Sequence, residues 1–319
     1  MATHPLFRVR YWRSYPWPLQ LFLLLLMVMT LASLMSAVAF VLVPAITGHR
    51  VVETVSVTAD SARSLVHAAL WSQALVSAGL FLLPSLLFAY LSHPSAKTYL
   101  GLRGAGKSVQ WPLVFGVMIG AAPVFLALEG ISRKLLPATS EAQGANDRLT
   151  QAFLQTKSPA EMLGVLIVIA LLPALGEELF FRGVLFRFVS KRSRSIWFPI
   201  VATAVFFAAI HYNPAGLFPI FLAGILLAGI YWLTGSLWCS ILAHFINNAL
   251  QVALTYAARN NAGLKAILEQ DFLPIGVIIG GAILFALSFY LLWKNRTPLR
   301  DGWASDTALE TGTAIGLDQ

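Results

Sequence analysis

Charge is what this chain lacks most. Only 11% of its 319 residues are Asp, Glu, Lys or Arg, against about a quarter in soluble domains. With 58% hydrophobic residues and a mean hydropathy of +0.74, the composition excludes an ordinary soluble enzyme. It reads as a polytopic membrane protein. There is one cysteine, Cys239, in an apolar segment. An internal disulfide and a cysteine-based metal site are therefore excluded. The sequence has no HExxH zinc motif, no internal repeat and no low-complexity tract. A cleavable signal peptide is not expected, because the first apolar run, about 18–43, far exceeds a signal h-region of about 7–15 residues. The net charge of +8 is no sign of nucleic-acid binding, since the basic residues gather where membrane spans end.

What is present is a series of long apolar runs. Crossing about 30 Å of hydrocarbon takes about 20 apolar residues. Eight runs are candidates: about 18–43, 65–91, 111–129, 160–190, 196–213, 215–234, 236–257 and 272–293. They predict an all-helical bundle of about eight membrane spans. The membrane domain covers 18–293, after an N-terminal segment 1–17 and before a polar tail, 294–319, expected to be mobile. Lys and Arg in short loops set orientation. Arg8, Arg10 and Arg13, then Lys97, Arg103 and Lys107, then Lys191, Arg192 and Arg194, then Lys294, Arg296 and Arg300 fall on one side if all eight runs cross. Both termini are then expected in the cytoplasm. The opposite loops mix Arg50, Arg63, Arg259 and Lys265 with Glu53, Asp60, Glu269 and Asp271, and the longest of them, about 130–159, carries Arg133, Lys134, Arg148 and Lys157, which weakens the bias without reversing it. Trp12, Trp17, Trp111, Trp197 and Trp293 sit near span ends, as interfacial aromatics do.

A few polar groups interrupt the apolar runs. Glu177, Glu178 and Arg182 lie in the fourth, His211 in the fifth, and His244 and Asn248 in the seventh, with Asn247 adjoining. An ionisable group inside a span is expensive and is a functional-site hypothesis by default. Counted from the basic ends at about 1.5 Å per residue, Glu177 lies roughly 21 Å deep, His211 roughly 24 Å, and His244 and Asn248 roughly 13 and 19 Å. Three spans thus bring polar groups to a similar layer. Glu178 and Arg182, like His244 and Asn248, are separated by four residues and share a helix face. Glu177 points about 100° from Glu178, toward a different neighbour and a cavity. Pro173 and Gly176 loosen the helix before the glutamates, and Gly183 allows close packing. The available chemistry is a general base plus oxyanion donors: a carboxylate and His211 to activate water, His244 and the Asn248 amide to stabilise an oxyanion. Ser36, Ser77 and Ser240 read as serines that bond the backbone. His4, His49, His67 and His93, near loops, read as ordinary polar histidines.

These residues resemble a known family. GEELFFRG (176–183) is similar to the EExxxR motif of the CAAX-protease and bacteriocin-processing intramembrane proteases, which include the type II CAAX prenyl endopeptidases. FFAAIHYNP (206–214) is similar to its FxxxH motif, and HFINN (244–248) to its HxxxN/D motif. The order agrees, and the resemblance covers about 160–255. It implies an intramembrane peptidase in which Glu177 and His211 activate water, His244 and Asn248 form the oxyanion site, and Glu178 and Arg182 support them. It implies a lipid bilayer, a membrane-associated or lipidated protein substrate, and the inner membrane of a prokaryote. A metal-free mechanism is favoured over zinc held by Glu177, His211 and His244, because Asn donates well to an oxyanion and ligates zinc poorly. Two other classes stay open. One is a non-catalytic bacteriocin-immunity or scaffold protein of the same fold. The other is a proton-coupled transporter, although transporters are commonly built from inverted repeats and the polar groups here are confined to the second half.

Overall fold

The computed structural model describes residues 11–135, 141–191, 193, 195–211, 213, 216–268, 270, 273–299 and 303–304, without the side chains of 141–143 and 145–147. Arg8, Arg10, Arg192, Arg194, Arg300, His4, Glu269 and Asp271 lie outside the described residues, as does the expected mobile tail beyond 304.

The described residues form an all-helical bundle with no strand. Its main helices are α1 (Trp17–Thr47), α2 (Arg63–Ser92), α3 (Gln110–Leu135), α4 (Glu141–Leu154), α5 (Pro159–Ser190), α6 (Trp197–Ala209), α7 (Leu217–Thr234), α8 (Leu237–Ala258) and α9 (Ile275–Lys294). Seven of them are long and apolar enough to cross a membrane. The fifth predicted span differs. It forms only the 13-residue α6, roughly 20 Å long. The helix stops at Ala209, just ahead of the breakers Asn213, Pro214 and Gly216. It packs closely against α7, the next helix in the chain.

Local sequence explains the irregular turns. α1 starts with Pro18 in its first turn, where a missing N–H costs nothing, and ends on Gly48 at φ +76°. Two π turns, Ala78–Leu82 in α2 and Leu166–Leu171 in α5, come just before Pro84 and Pro173. Proline removes one helical N–H, and a widened turn absorbs the defect. A third π turn, Leu179–Leu185, follows the glutamates without a proline.

α7 and α8 form the buried centre, and α1 and α9 the periphery. Phe22, Met29, Phe40, Ile279 and Ile283 face outward, as apolar residues do against lipid rather than water. Backbone contacts are close where glycine permits. Gly120 of α3 meets α9 so closely that an added Cβ would overlap the Phe285 backbone, and Gly183 packs on Leu100 and Leu237. Gly224 packs on Ala204, whereas Gly229 faces open space.

One end of the bundle is sewn together. Leu237 N–H donates to Gly101 O, Ser236 Oγ to Arg103 O, Thr297 N–H to Leu233 O at 2.8 Å and Leu299 N–H to Trp232 O at 3.0 Å. Trp303 is buried against Phe186 and Tyr231. The first part of the tail is therefore docked, which corrects the expectation of mobility from 294 onward. The carbonyls at the end of α7 offer acceptors, and Leu299 and Trp303 supply apolar surface. This end holds Lys97, Arg103, Lys107, Lys191 and Lys294, with Trp12, Trp17, Trp111, Trp197 and Trp293 at the helix ends. At the far end, Arg63 bonds Ala152 O and pairs with Glu161 at 3.2 Å.

Candidate active site

Glu177 and Glu178 end the regular stretch Leu172–Glu178 of α5, between two π turns. Gly176 lets α5 approach Phe81 and Leu82 of α2. Glu178 is fully buried. Its Oε1 accepts from Arg182 Nη1 at 2.7 Å and from His244 Nδ1 at 2.9 Å, and its Oε2 from Ser240 Oγ at 2.6 Å. Arg182, also fully buried, sends Nη2 to Gly224 O at 2.9 Å and lies over the Phe207 ring at 4.9 Å. The pairing expected from the spacing of four is present. A buried charge needs this degree of compensation.

Glu177 is placed differently. Its Oε2 is buried and has no hydrogen-bond partner among the described residues. It lies 3.9 Å from His244 Nε2. The two glutamates thus do not address different neighbours, as their 100° separation suggested. The imidazole spans that angle and presents one nitrogen to each. A carboxylate only accepts, so His244 Nδ1 carries the proton toward Glu178, and Nε2 is the atom on the Glu177 side.

His211 follows the last turn of α6, where its Nδ1 lies 2.6 Å from Phe207 O. A carbonyl only accepts, so Nδ1 donates and Nε2 of the neutral ring holds the lone pair. The Phe207 ring packs on both histidines, with centroids 4.7 Å from His211 and 5.7 Å from His244. Asn248 sits one turn beyond His244. Its Oδ1 accepts from Asn247 Nδ2 at 3.2 Å, which leaves the Asn248 amide N–H groups as donors. Glu177, His211, His244 and Asn248 line one cavity of about 460 Å³, together with Gln73 and Gln251. All four predicted catalytic positions therefore share one space, while Glu178 and Arg182 lie buried beside it.

The sequence reading gave Ser240 only a backbone bond and did not name Gln73 or Gln251. Ser240 touches the Leu227 carbonyl, as expected of a membrane serine, but also bonds Glu178. Gln73 and Gln251 face the cavity. A signal existed for Ser240 and Gln251: residues 240, 244, 248 and 251 recur every three or four positions, one face of α8. Among the described residues, no group of three His, Cys, Asp or Glu side chains is placed to hold a metal ion. His49 bonds Glu53 and Ser64, His93 bonds Ser95 O, and His67 lies 3.8 Å from Glu161 of α5; none of them lines the cavity.

No curated protein and no solved structure matches this chain. A family model does. Residues 159–250 match Rce1-like, the type II CAAX prenyl endopeptidase Rce1-like family. The matched stretch runs from the start of α5 into α8 and contains all the residues of the cavity except those of α2 and α4 and Gln251. By its three ordered motifs and this match, the part of the chain that builds the site is similar to the CAAX-protease and bacteriocin-processing family, in its type II CAAX prenyl endopeptidase-like group.

Proposed function

We propose that this protein is an intramembrane endopeptidase that hydrolyses a peptide bond of a membrane-associated protein with a glutamate-activated water. The observation that carries this reading is the Glu177 carboxylate, whose Oε2 has no hydrogen bond among the described residues and which faces a cavity shared with His211, His244 and Asn248. Glu177 takes a proton from water as the oxygen attacks the peptide carbonyl, then returns it to the leaving amine. His211 orients that water through Nε2. The Asn248 amide donates to the oxyanion. His244 donates there as well when its ring carries both protons, because Nδ1–H is committed to Glu178. Glu178, Arg182 and Ser240 act as positioning residues that fix the His244 ring. A scaffold role would leave a buried Glu177 oxygen without a hydrogen bond and without a purpose. The reading takes a prokaryotic inner membrane from the family resemblance, and both termini in the cytoplasm from the bias of Lys and Arg in the loops.

The test compares membrane peptides from cells carrying the wild type and Glu177→Gln. The substitution keeps volume and removes the base. Specific cleavages should fall by about 10²–10⁴ with the folded yield unchanged. His244→Ala and Asn248→Ala should each cut turnover, by about 10²–10³ for one oxyanion donor. Cleavage at the wild-type rate by Glu177→Gln would sink the assignment. Loss of activity to a chelator, with recovery on adding zinc, would replace the metal-free version.

A further inference from the structure

Helix α7 separates two cavities. One of its faces lines the catalytic space through Ala223 and Leu227. On this side the Gly224 carbonyl accepts from Arg182, and the Leu227 carbonyl from Ser240. The other face, with Leu222, Leu226 and Gly229, lines a cavity of about 330 Å³ between α3, α6, α7 and α9. The two cavities have no lining residue in common, and no charged side chain lines the second. Gly229 keeps its wall low, since an added Cβ there would meet no atom within 4 Å.

The length of this cavity is that of one leaflet. Along α7 its lining runs from Leu222 to Leu233, a rise of roughly 16 Å. The hydrocarbon of a bilayer is about 30 Å thick, so the cavity covers about half of it. One end is marked by tryptophan. The Trp232 ring lies 6.2 Å from Trp197 and 5.9 Å from Trp293, between centroids, and all three line the cavity. Tryptophan collects at the level of lipid headgroups.

Cations stand at that same end. The Arg296 guanidinium lies over the Trp293 ring at 4.7 Å, and its Nη1 donates to Trp293 O at 2.9 Å. An arginine has five N–H donors, so most of the fork stays available to an anion. Lys294 ends α9, with Nζ 4.9 Å from the Tyr290 ring. Both cations are exposed, and among the described residues neither pairs with a carboxylate.

We propose that this cavity is a binding site for an anionic phospholipid. One acyl chain lies against Leu226, Gly229 and Phe285, and the phosphate meets Arg296 and Lys294 beside the tryptophans. Basic groups beside a pocket between membrane helices select anionic headgroups in this way. Length and charge decide the occupant. A spanning helix of a partner would need the full thickness of the bilayer, an uncharged lipid would leave both cations without an anion, and free phosphate would leave the apolar walls uncovered. The bound chain backs α7 opposite Gly224 and Leu227, and so braces the helix whose carbonyls hold Arg182 and Ser240. The site depends neither on the direction in which the chain crosses the bilayer nor on the peptidase reading.

For the test, the full chain is purified, delipidated in detergent and titrated with phosphatidylglycerol, with phosphatidylcholine of the same chains, and with inorganic phosphate. Phosphatidylglycerol should raise Tm the most. Replacing both cations, Arg296→Gln with Lys294→Gln, should weaken phosphatidylglycerol binding by roughly 30-fold and bring its effect on Tm down to that of phosphatidylcholine. Gly229→Leu puts a side chain into the cavity and should remove the response to both lipids. A phosphatidylglycerol with a photoactivatable group in its tail tests the location in the unaltered chain: cross-links should fall on 222–233 of α7 and 285–293 of α9. Equal shifts from the two lipids, a full shift from phosphate alone, an undiminished response in the double variant, or cross-links confined to other helices would each overturn the proposal.

Discussion

His244 is the side chain on which both glutamates converge, 2.9 Å from one and 3.9 Å from the other. The partners of Glu178 decide how firmly that ring is held. Arg182→Ala leaves a fully buried carboxylate without its counter-charge. Breaking such a pair costs about 3–5 kcal/mol. Lower folded yield and a lower Tm are expected along with lost activity; a normal Tm would show that Arg182 is not the neutralising partner. Ser240→Ala removes a hydrogen bond to a charged acceptor, worth about 1.5–3 kcal/mol. If Ser240 positions His244 through Glu178, kcat should fall with KM unchanged, and the pH profile of kcat should move; a drop in Tm alone would make Ser240 structural only. The spacing of four made the Glu178–Arg182 pair legible in the sequence. The Ser240 bond was not legible, because it joins residues 62 positions apart and depends on how α8 is rotated against α5.

At the scale of elements, the long apolar runs were legible because length and hydropathy alone decide whether a helix can cross lipid. Seven of them became helices of that kind. The short α6 was less legible. Its apolar run continues to Ile210, and only the breakers beyond it mark where the helix stops. That early stop has a use: it brings His211 to the depth of Glu177 instead of the far surface. The π turns are likewise invisible to periodicity, although Pro84 and Pro173 announce two of them. Glycine at a helix crossing is a sharper case. At Gly120 the intruding atoms of α9 are backbone, so they cannot rotate away. Gly120→Val should push α9 off α3 at a cost of about 1–3 kcal/mol, the range for overpacking. Gly229→Ala, with nothing within 4 Å of the added Cβ, should leave the protein unchanged in a thermal-shift comparison. An equal loss from both would remove the close-packing argument.

For the molecule as a whole, the sequence conveyed the all-helical, many-span architecture, while the orientation it suggests is still to be tested. Of the basic residues that suggest it, the described Lys97, Arg103, Lys107, Lys191 and Lys294 lie near helix ends, because charged side chains must stay in water. Reporter fusions at the N-terminus, near Lys191 and at residue 300 should all report a cytoplasmic location; an external signal at 300 would break the eight-pass path. How that end is closed could not be read from the sequence, since Thr297 and Leu299 pair with carbonyls more than 60 positions earlier. The closing segment follows α9, so it emerges from the ribosome after every other described helix. All earlier helices can enter the bilayer and meet before this segment is in place. During that interval the Leu233 and Trp232 carbonyls and the rings of Phe186 and Tyr231 have no cover. The unfinished chain is thus open where the finished one is closed, and a quality-control protease or chaperone could tell it from the finished protein by that segment alone.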